Sequence, residues 1–354
     1  CKRIGAEMSD IRDDLEKTVD RICEEHCLKE VFMSSESGVW PQALWQALEE
    51  VGLPQACLSE EQGGSGLSFD DAMFVLRRSA YHAAPVPLAE TFLASRLLSA
   101  AGLKVPGGVL SVSVAHAKDS LELQGSQNSP SLSGHAHRVP WGLSCDHLVV
   151  VAQREGQSYI VLIERKALGQ SQSEWVKNLA GEPRVQFDFV NTPVSAFAPL
   201  SNAKERLLCE GALMRSVQMA GALQRSLEYA LQYANDRVQF GRPIGKFQAV
   251  QHMLAVLAGH VAASAAAADA AIELSTEAPE EFFTAVAKSR VGEAAGKGAE
   301  IAHQVHGAMG FTREHNLHHL TRRLWSWRDE FGNETHWQTR IGEMALKQGA
   351  DNLW

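Results

Sequence analysis

The sequence predicts an α+β fold in three parts: a helical N-terminal domain, a small central β-sheet or barrel, and a C-terminal helical bundle. Three observations predict it. Apolar residues recur every three or four positions through the first hundred residues. Short β-branched runs separated by Gly, Ser, Asn and Pro fill the stretch from about Gly107 to Pro199. From Asn202 onward helical spacing returns and persists. The expected boundaries are 1–106, 107–200 and 201–354.

Within the first part, Ile11, Leu15, Val19 and Ile22 line one helix face, followed by helical stretches at Ala43–Val51, Phe69–Ser79 and Leu88–Ala101. Gly52-Leu-Pro54, Gly63-Gly64 and Pro85-Val-Pro87 punctuate them. The middle part carries Val109–Val114, His147–Ala152, Tyr159–Ile163 and Val185–Val190, a texture of short antiparallel strands. In the last part, Ala262–Ala271 is rich enough in alanine to pack at close range. Ala287, Val291, Ala294, Gly298, Ile301 and Val305 form another narrow, small-residue face.

The chain of 354 residues is long enough for a sizeable core, and its net charge of −9 argues against a nucleic-acid partner. No uninterrupted apolar run reaches the ~20 residues of a membrane span, and no basic-then-apolar leader is seen. A cytoplasmic protein without a membrane partner is expected. Met8-Ser-Asp reads like a natural start, which makes Cys1–Glu7 an upstream remnant. The six cysteines show no CxxC and no framework spacing, so Cys23 and Cys27, four apart on a helix, read as free thiols.

One stretch concentrates chemistry. Helical sequence from Leu223 to Ala234 runs into Arg237-Val-Gln-Phe-Gly-Arg-Pro-Ile-Gly-Lys-Phe-Gln248. Two glycines and Pro243 impose a turn. A new helix restarts near Lys246 with Phe247, Val250, Leu254, Leu257 and Val261 on one face. The turn collects Arg237, Gln239, Phe240 and Gln248, and an Arg there suits a bidentate grip on phosphate. The plainer use is a hairpin turn whose Arg caps helix-end carbonyls and whose Phe is core.

This segment resembles the R-x-x-F-G-x-x-I-x-x-x-Q motif of acyl-CoA dehydrogenases, flavoenzymes that desaturate acyl-CoA thioesters. Gln304-Val-His-Gly-Ala-Met-Gly-Phe-Thr-Arg-Glu-His315 is similar to that family's Q-x-x-G-G-x-G-F/Y-T-x-E-x signature, and Leu44–Gly66 to its W-x-x-L-x-x-x-G…E-x-x-G-G-x-G block. The resemblance implies the same helical–β–helical order and FAD as cofactor. It implies that Arg237 reaches the pyrophosphate, Phe240 lies near the adenine, and Gln239 and Gln248 add hydrogen bonds. Gln304, Gly307 and Ala308 would meet the adenosine side from the other subunit, with Ala308 standing where a second glycine is usual. The cofactor site is thereby shared between subunits of a homo- or hetero-oligomer. An electron-transferring flavoprotein is the implied acceptor.

The family's base, a carboxylate that removes the α-proton, is displaced here. Ungapped alignment puts Phe331 where most members have Glu before Gly, with Glu330 one residue early and Asp329 two. A minority branch takes Glu from the earlier helix, and there alignment lands on Gly211 with Glu210 adjacent. One residue turns a helical side chain by about 100°. Glu330 is the first candidate and Glu210 the second, each against a reading as a solvated charge paired with a nearby Arg.

The β-domain departs as well. Leu110–Ala115 leads into a loop lacking the T-E-x-x-x-G-S-D signature, and Val139-Pro140 aligns with the I-T pair at the flavin N5 edge, where Pro140 has no N–H to offer. The pattern resembles a small-subunit branch for bulky acyl-CoAs, in which some chains are heteromeric and one partner lacks the base. A non-catalytic subunit is the alternative, and a flavin oxidase or monooxygenase a weaker third. His315 and His319 have i, i+4 spacing without a carboxylate or Cys partner, so no metal ligand is assigned. Trp325, Trp327, Trp337 and Trp354 line an acyl pocket or fill the bundle core.

Overall fold

Residues 2–114, 116, 118–169 and 171–349 are described in the computed structural model, and Cys1 and Trp354 lie outside them. Helices α1 (Lys2–His26), α2 (Lys29–Glu36), α3 (Gln42–Glu50), α4 (Phe69–Tyr81) and α5 (Leu88–Ala100) form the N-terminal part. Strands β1 (Leu110–Val112), β2 (Ser120–Ser126), β3 (Ser129–Pro140), β4 (His147–Arg154) and β5 (Gln157–Glu164) follow. After the short helix α6 (Arg165–Leu168) come β6 (Gln172–Lys177), β7 (Pro183–Pro193) and β8 (Ala196–Pro199). Then α7 (Ala203–Asp236), α8 (Gln248–Leu274), α9 (Glu281–His306), α10 (Leu317–Asp329) and α11 (Glu334–Gln348) complete the chain.

By packing, the chain divides into two compact units: Cys1–Glu24, Met73–Ala84 and Ala212–Trp354 in one, Glu25–Ala72 and Pro85–Gly211 in the other. In the second unit an eight-stranded sheet runs β6-β7-β3-β2-β4-β5-β8, with β1 added beside β4. The sheet is mixed, which corrects the expected antiparallel pattern. β1 pairs parallel to β4 through Leu110↔His147 and Val112↔Val149, and β2 meets β4 in parallel at Glu122↔Gln153. The β2–β3 hairpin is the crossover that lets β4 return in the direction of β1. Leu132, Val149, Ile160, Val161, Val185 and Phe187 fill the sheet's buried positions, and α3 contributes Leu44, Trp45 and Leu48. All five described cysteines are free.

In the other unit, α7, α8, α9 and α10 meet around Ala230, Ala234, Leu254, Leu257, Ala302, Val305 and Leu317. The small residues do what their spacing predicts. A Cβ on Gly298 would strike Leu223 and Leu257, so α9 packs close to α7 and α8 there. A Cβ on Gly221 would strike the Arg77 carbonyl, which brings α7 against α4. Arg78 Nη2 bonds Asp20 at 2.6 Å, tying α4 to α1. Helix α8 corrects the membrane reading in one respect: it is long and apolar enough to cross a membrane, with 28% of its most apolar window buried inside the chain.

Candidate functional site

The Arg237–Gln248 corner forms where α7 ends. Val238–Gln239 pairs with Arg242–Pro243 in a two-residue hairpin whose register is Gln239↔Arg242 and Val238↔Pro243. The central pair, Phe240 (φ 51°) and Gly241 (φ 77°), is left-handed at both positions, as a type I′ turn requires. The expected second permissive glycine is thus replaced by Phe240 itself, held in a conformation costly for a bulky residue. Its ring is 93% exposed, so the core reading of Phe240 fails. A 3₁₀ turn at Ile244–Lys246 precedes α8, which opens at Gln248 rather than Lys246. Phe247 packs between Phe240, edge-on at 6.2 Å, and the Arg242 guanidinium at 4.3 Å.

Arg237, Gln239 and Gln248 are all exposed. Gln239 Nε2 donates to the Val238 carbonyl at 2.7 Å. The side chains of Arg237, Gln248 and Gln304 have no hydrogen-bond or ion-pair partner among the described residues. Gln304 is exposed near the end of α9, and the exposed Gly307-Ala308 opens the 3₁₀ turn Gly307–Phe311. Gly307 sits at φ 58°, ψ −141°, a combination open to Gly almost alone. The end of α9 lies beside α7, because Tyr233 stacks on His306 at 4.7 Å. Exposed, unpartnered donors beside a bare glycine turn fit an elongated phosphate-bearing group such as FAD, whose oxygens accept what these side chains donate.

His315 and His319 do not share one helix, so the i, i+4 spacing is not realised on a helical face. His315 precedes α10 and accepts from Leu317 N at 3.1 Å, while the His319 ring lies 3.9 Å from that of His318, tilted by 39°. His315 instead meets the rings of His306 (4.5 Å) and Tyr229 (5.2 Å). His306 Nδ1 donates to the Ala302 carbonyl at 2.7 Å. Burial and the neighbouring imidazoles push His315 down to about 4, and burial lowers His303 and His306 as well.

Both candidate bases are held by arginines. Glu330 Oε2 accepts from Arg215 Nε at 2.8 Å and Nη2 at 2.7 Å. The Arg215 side chain is 2% exposed, and it lies 5.8 Å from the rings of both Trp327 and Phe331. Glu210, also 2% exposed, accepts from Arg206 Nε at 2.9 Å and Arg96 Nε at 3.1 Å. The turn carrying Glu330 is fixed from three sides. Lys288 Nζ donates to the Arg328 and Gly332 carbonyls at 2.6 Å each, and Trp337 Nε1 donates to the Phe331 carbonyl at 2.9 Å. Phe331 is itself left-handed at φ 54°. Trp327 and Trp337 are buried in the bundle, and Trp325 stacks on His303 at 5.8 Å.

In the sheet unit, Pro140 ends β3 opposite Arg184, and its carbonyl accepts from Ser111 Oγ. The same hairpin gathers three residues that the sequence reading passed over, His116, Asp119 and His137. Their spacing carries no motif. Only the β2–β3 register, Ser120↔His135, brings them together.

Two stretches match the acyl-CoA dehydrogenase N-terminal domain (residues 9–103) and C-terminal domain (residues 200–341). Acyl-CoA dehydrogenase IpdE2 of Mycobacterium tuberculosis is 30% identical over 81% of this chain and 81% of its own. Its namesake from Mycolicibacterium smegmatis is 28% identical over 88% and 91%. Among solved structures, butyryl-CoA dehydrogenase from Megasphaera elsdenii superposes with a TM-score of 0.87 at 19% identity, over 95% of this chain and 98% of that one. The ChsE4-ChsE5 complex from Mycobacterium tuberculosis gives 0.85 at 22% identity, over 96% and 98%. The chain belongs to the acyl-CoA dehydrogenase family.

Proposed function

We propose that this chain is an FAD-dependent acyl-CoA dehydrogenase subunit that desaturates an acyl-CoA thioester at its α,β bond and passes the electrons to an electron-transferring flavoprotein. The observation that carries it is the exposed corner of Arg237, Gln239, Phe240 and Gln248 with the Gln304–Ala308 turn beside α7, where the Arg237, Gln248 and Gln304 side chains have no partner among the described residues. Arg237 would hold the pyrophosphate, Phe240 the adenine, and Gln239 and Gln248 the intervening polar atoms. Gln304, Gly307 and Ala308 would approach the adenosine of a neighbouring subunit. Bound FAD supplies the electron sink that takes the β-hydrogen as hydride.

The three-part division at 106 and 200 is retained as the functional one, with the cofactor contacts on the C-terminal bundle. A 93%-exposed Phe240 and an apolar α8 largely uncovered by its own chain favour an oligomer, homomeric or heteromeric. A cytoplasmic location goes with this reading.

Glu330 remains the first candidate to accept the α-proton and Glu210 the second. Either must first leave its arginines. That pairing favours a second reading, in which the chain completes the FAD site of a partner that carries the base. An anaerobic titration with short, long and bulky acyl-CoAs tests both. Bleaching of the flavin in the isolated chain, lost on Glu330→Gln or Glu210→Gln, establishes a self-sufficient dehydrogenase and its base. Flavin that appears, and bleaches, only with a co-expressed partner establishes the supporting subunit.

A further inference from the structure

The sheet unit holds a cluster that the flavoenzyme chemistry does not use. Asp119 lies one residue before β2, and His137 lies two residues beyond the last β3 position paired with β2. The Asp119 carboxylate is fixed by surrounding donors. Oδ2 accepts from Ser113 Oγ at 2.9 Å and His116 N at 3.0 Å, and Oδ1 accepts from His137 N at 2.8 Å. Oδ1 also faces His137 Nδ1 at 3.0 Å. The His116 ring lies 5.4 Å from the His137 ring, inclined by 35°. One ligand atom from each of His116, Asp119 and His137 falls within 4.8 Å of the others. The Asp119 and His137 side chains are 10% and 23% exposed, so the donors are partly stripped of water yet reachable.

We propose that His116, Asp119 and His137 form a binding site for a divalent transition-metal ion of the zinc class. The donor set is two imidazoles and one carboxylate, the mixture that suits Zn²⁺, Ni²⁺ or Cu²⁺, whereas Ca²⁺ and Mg²⁺ take oxygen. Ligands at about 2.0–2.1 Å around a tetrahedral ion stand about 3.3 Å apart. The 3.0 Å between His137 Nδ1 and Asp119 Oδ1 is close to that edge, so an ion fits in place of the shared proton, with His137 keeping its proton on Nε2. His116 supplies the third donor through one of its ring nitrogens, within 4.8 Å of the other two ligand atoms. Ser113 Oγ and the two backbone N–H groups orient the carboxylate from behind, as outer partners do in metal centres. His135, 6.3 Å from the His137 ring, is committed to Asp188 at 2.7 Å and stands outside the set. The bound ion staples His116 and Asp119 to His137 of β3, and water completes its shell.

The test uses the untagged full-length chain, stripped by chelator and titrated with ZnCl₂ calorimetrically at pH 7.5. Co²⁺ is added in parallel to read visible d–d bands. Saturable binding of one equivalent is expected, weakened tenfold or more by H116Q, by H137Q and by D119N, and unchanged by H315Q. Thermal midpoints in chelator establish that each variant is folded. Should H137Q or D119N not fold, the partly buried His116, outside the strands, decides the matter through H116Q alone. Absence of saturable binding overturns the proposal. So does binding of undiminished tightness in H116Q, which would put the ion on other histidines.

Discussion

Replacing Lys288 with Met should remove a pH dependence that the native chain carries above neutrality. Lys288 is 1% exposed, and its Nζ donates only to the Arg328 and Gly332 carbonyls among the bonds seen here. Burial pushes the ammonium down from 10.5 to about 7, against the upward pull of Glu334, Glu330 and Asp329. A neutral amine has two N–H groups, the number those carbonyls accept. Because the folded value is depressed, the unfolded chain binds more protons between about pH 7 and 10.5, and stability rises with pH across that window. The slope is on the order of 1 kcal/mol per pH unit. From pH 7 to 9 the native chain should therefore gain roughly 2–3 kcal/mol over Lys288→Met. That corresponds to about 4–12 °C in the thermal midpoint at the scale of a domain of 150–250 residues. At pH 9 the variant should also be the less stable, by about 2 kcal/mol or more, because both carbonyls lose a buried donor. Thermal scans of both proteins from pH 6.5 to 9 make the measurement. A stability difference that stays constant over this range refutes a neutral, carbonyl-bound Lys288.

Phe240→Asp should leave the folded subunit within about 0.5 kcal/mol of native stability, since the ring is 93% exposed, yet weaken subunit association in sedimentation equilibrium. Arg237→Ala should lower flavin retention after gel filtration tenfold or more, with an unchanged thermal midpoint of the apo form. Below pH 6.5 the unfolded chain binds more protons than the depressed His303, His306 and His315 do in the fold, so stability should fall as pH drops toward 4. His315 is partly buried, and after solvent screening its share is on the order of 1–2 kcal/mol. Denaturant midpoints at pH 7.5 and 5 for native protein and His315→Gln measure it, and an identical drop in both would exclude His315 as a source.

The long helices were legible because their apolar stripes are long and regular. Ile11 to Ile22, Leu88 to Ala101 and the small-residue face of α9 all fold where the spacing puts them. Of the strands missed, β2, β3 and β6 are rich in polar residues and β8 is only four residues long. β2 (SLELQGS) carries only one short alternation, Leu121 and Leu123 buried between exposed Ser120, Glu122 and Gln124, and Glu174 to Lys177 of β6 are exposed throughout, so neither stands out as a hydrophobic run. Parallel pairing of β1 with β4 was hidden for another reason, since strand direction depends on the crossover and not on side-chain period. At the candidate site, the Arg237 motif and the Gln304 turn could be read locally because each is one short segment. Arg206, four residues before Glu210, was within local reach, but the other clamps were not, because Arg215 stands 115 positions from Glu330 and Arg96 stands 114 from Glu210. Phe240 in a left-handed turn was unforeseen because propensity assigns that conformation to Gly.

The pairing of Glu330 bears directly on which of the two functional readings holds. A carboxylate that abstracts a proton must turn toward the substrate, and here that leaves Arg215, 2% exposed, without its anion. Breaking a buried pair in this way costs about 3–5 kcal/mol. The neighbouring position is closed to chemistry as well, because Phe331 is 5% exposed and its carbonyl is bound by Trp337. If the pair is structural, a double replacement by apolar residues should be tolerated where a single one is not. Arg215→Met with Glu330→Leu should then fold with a thermal midpoint near the native one, while Arg215→Met alone falls by several degrees. In a partnered complex that double variant should still support flavin bleaching by acyl-CoA. If Glu330 is instead the base, the double variant folds but bleaching is abolished in every complex, and Arg215 becomes the residue that holds the carboxylate until substrate displaces it.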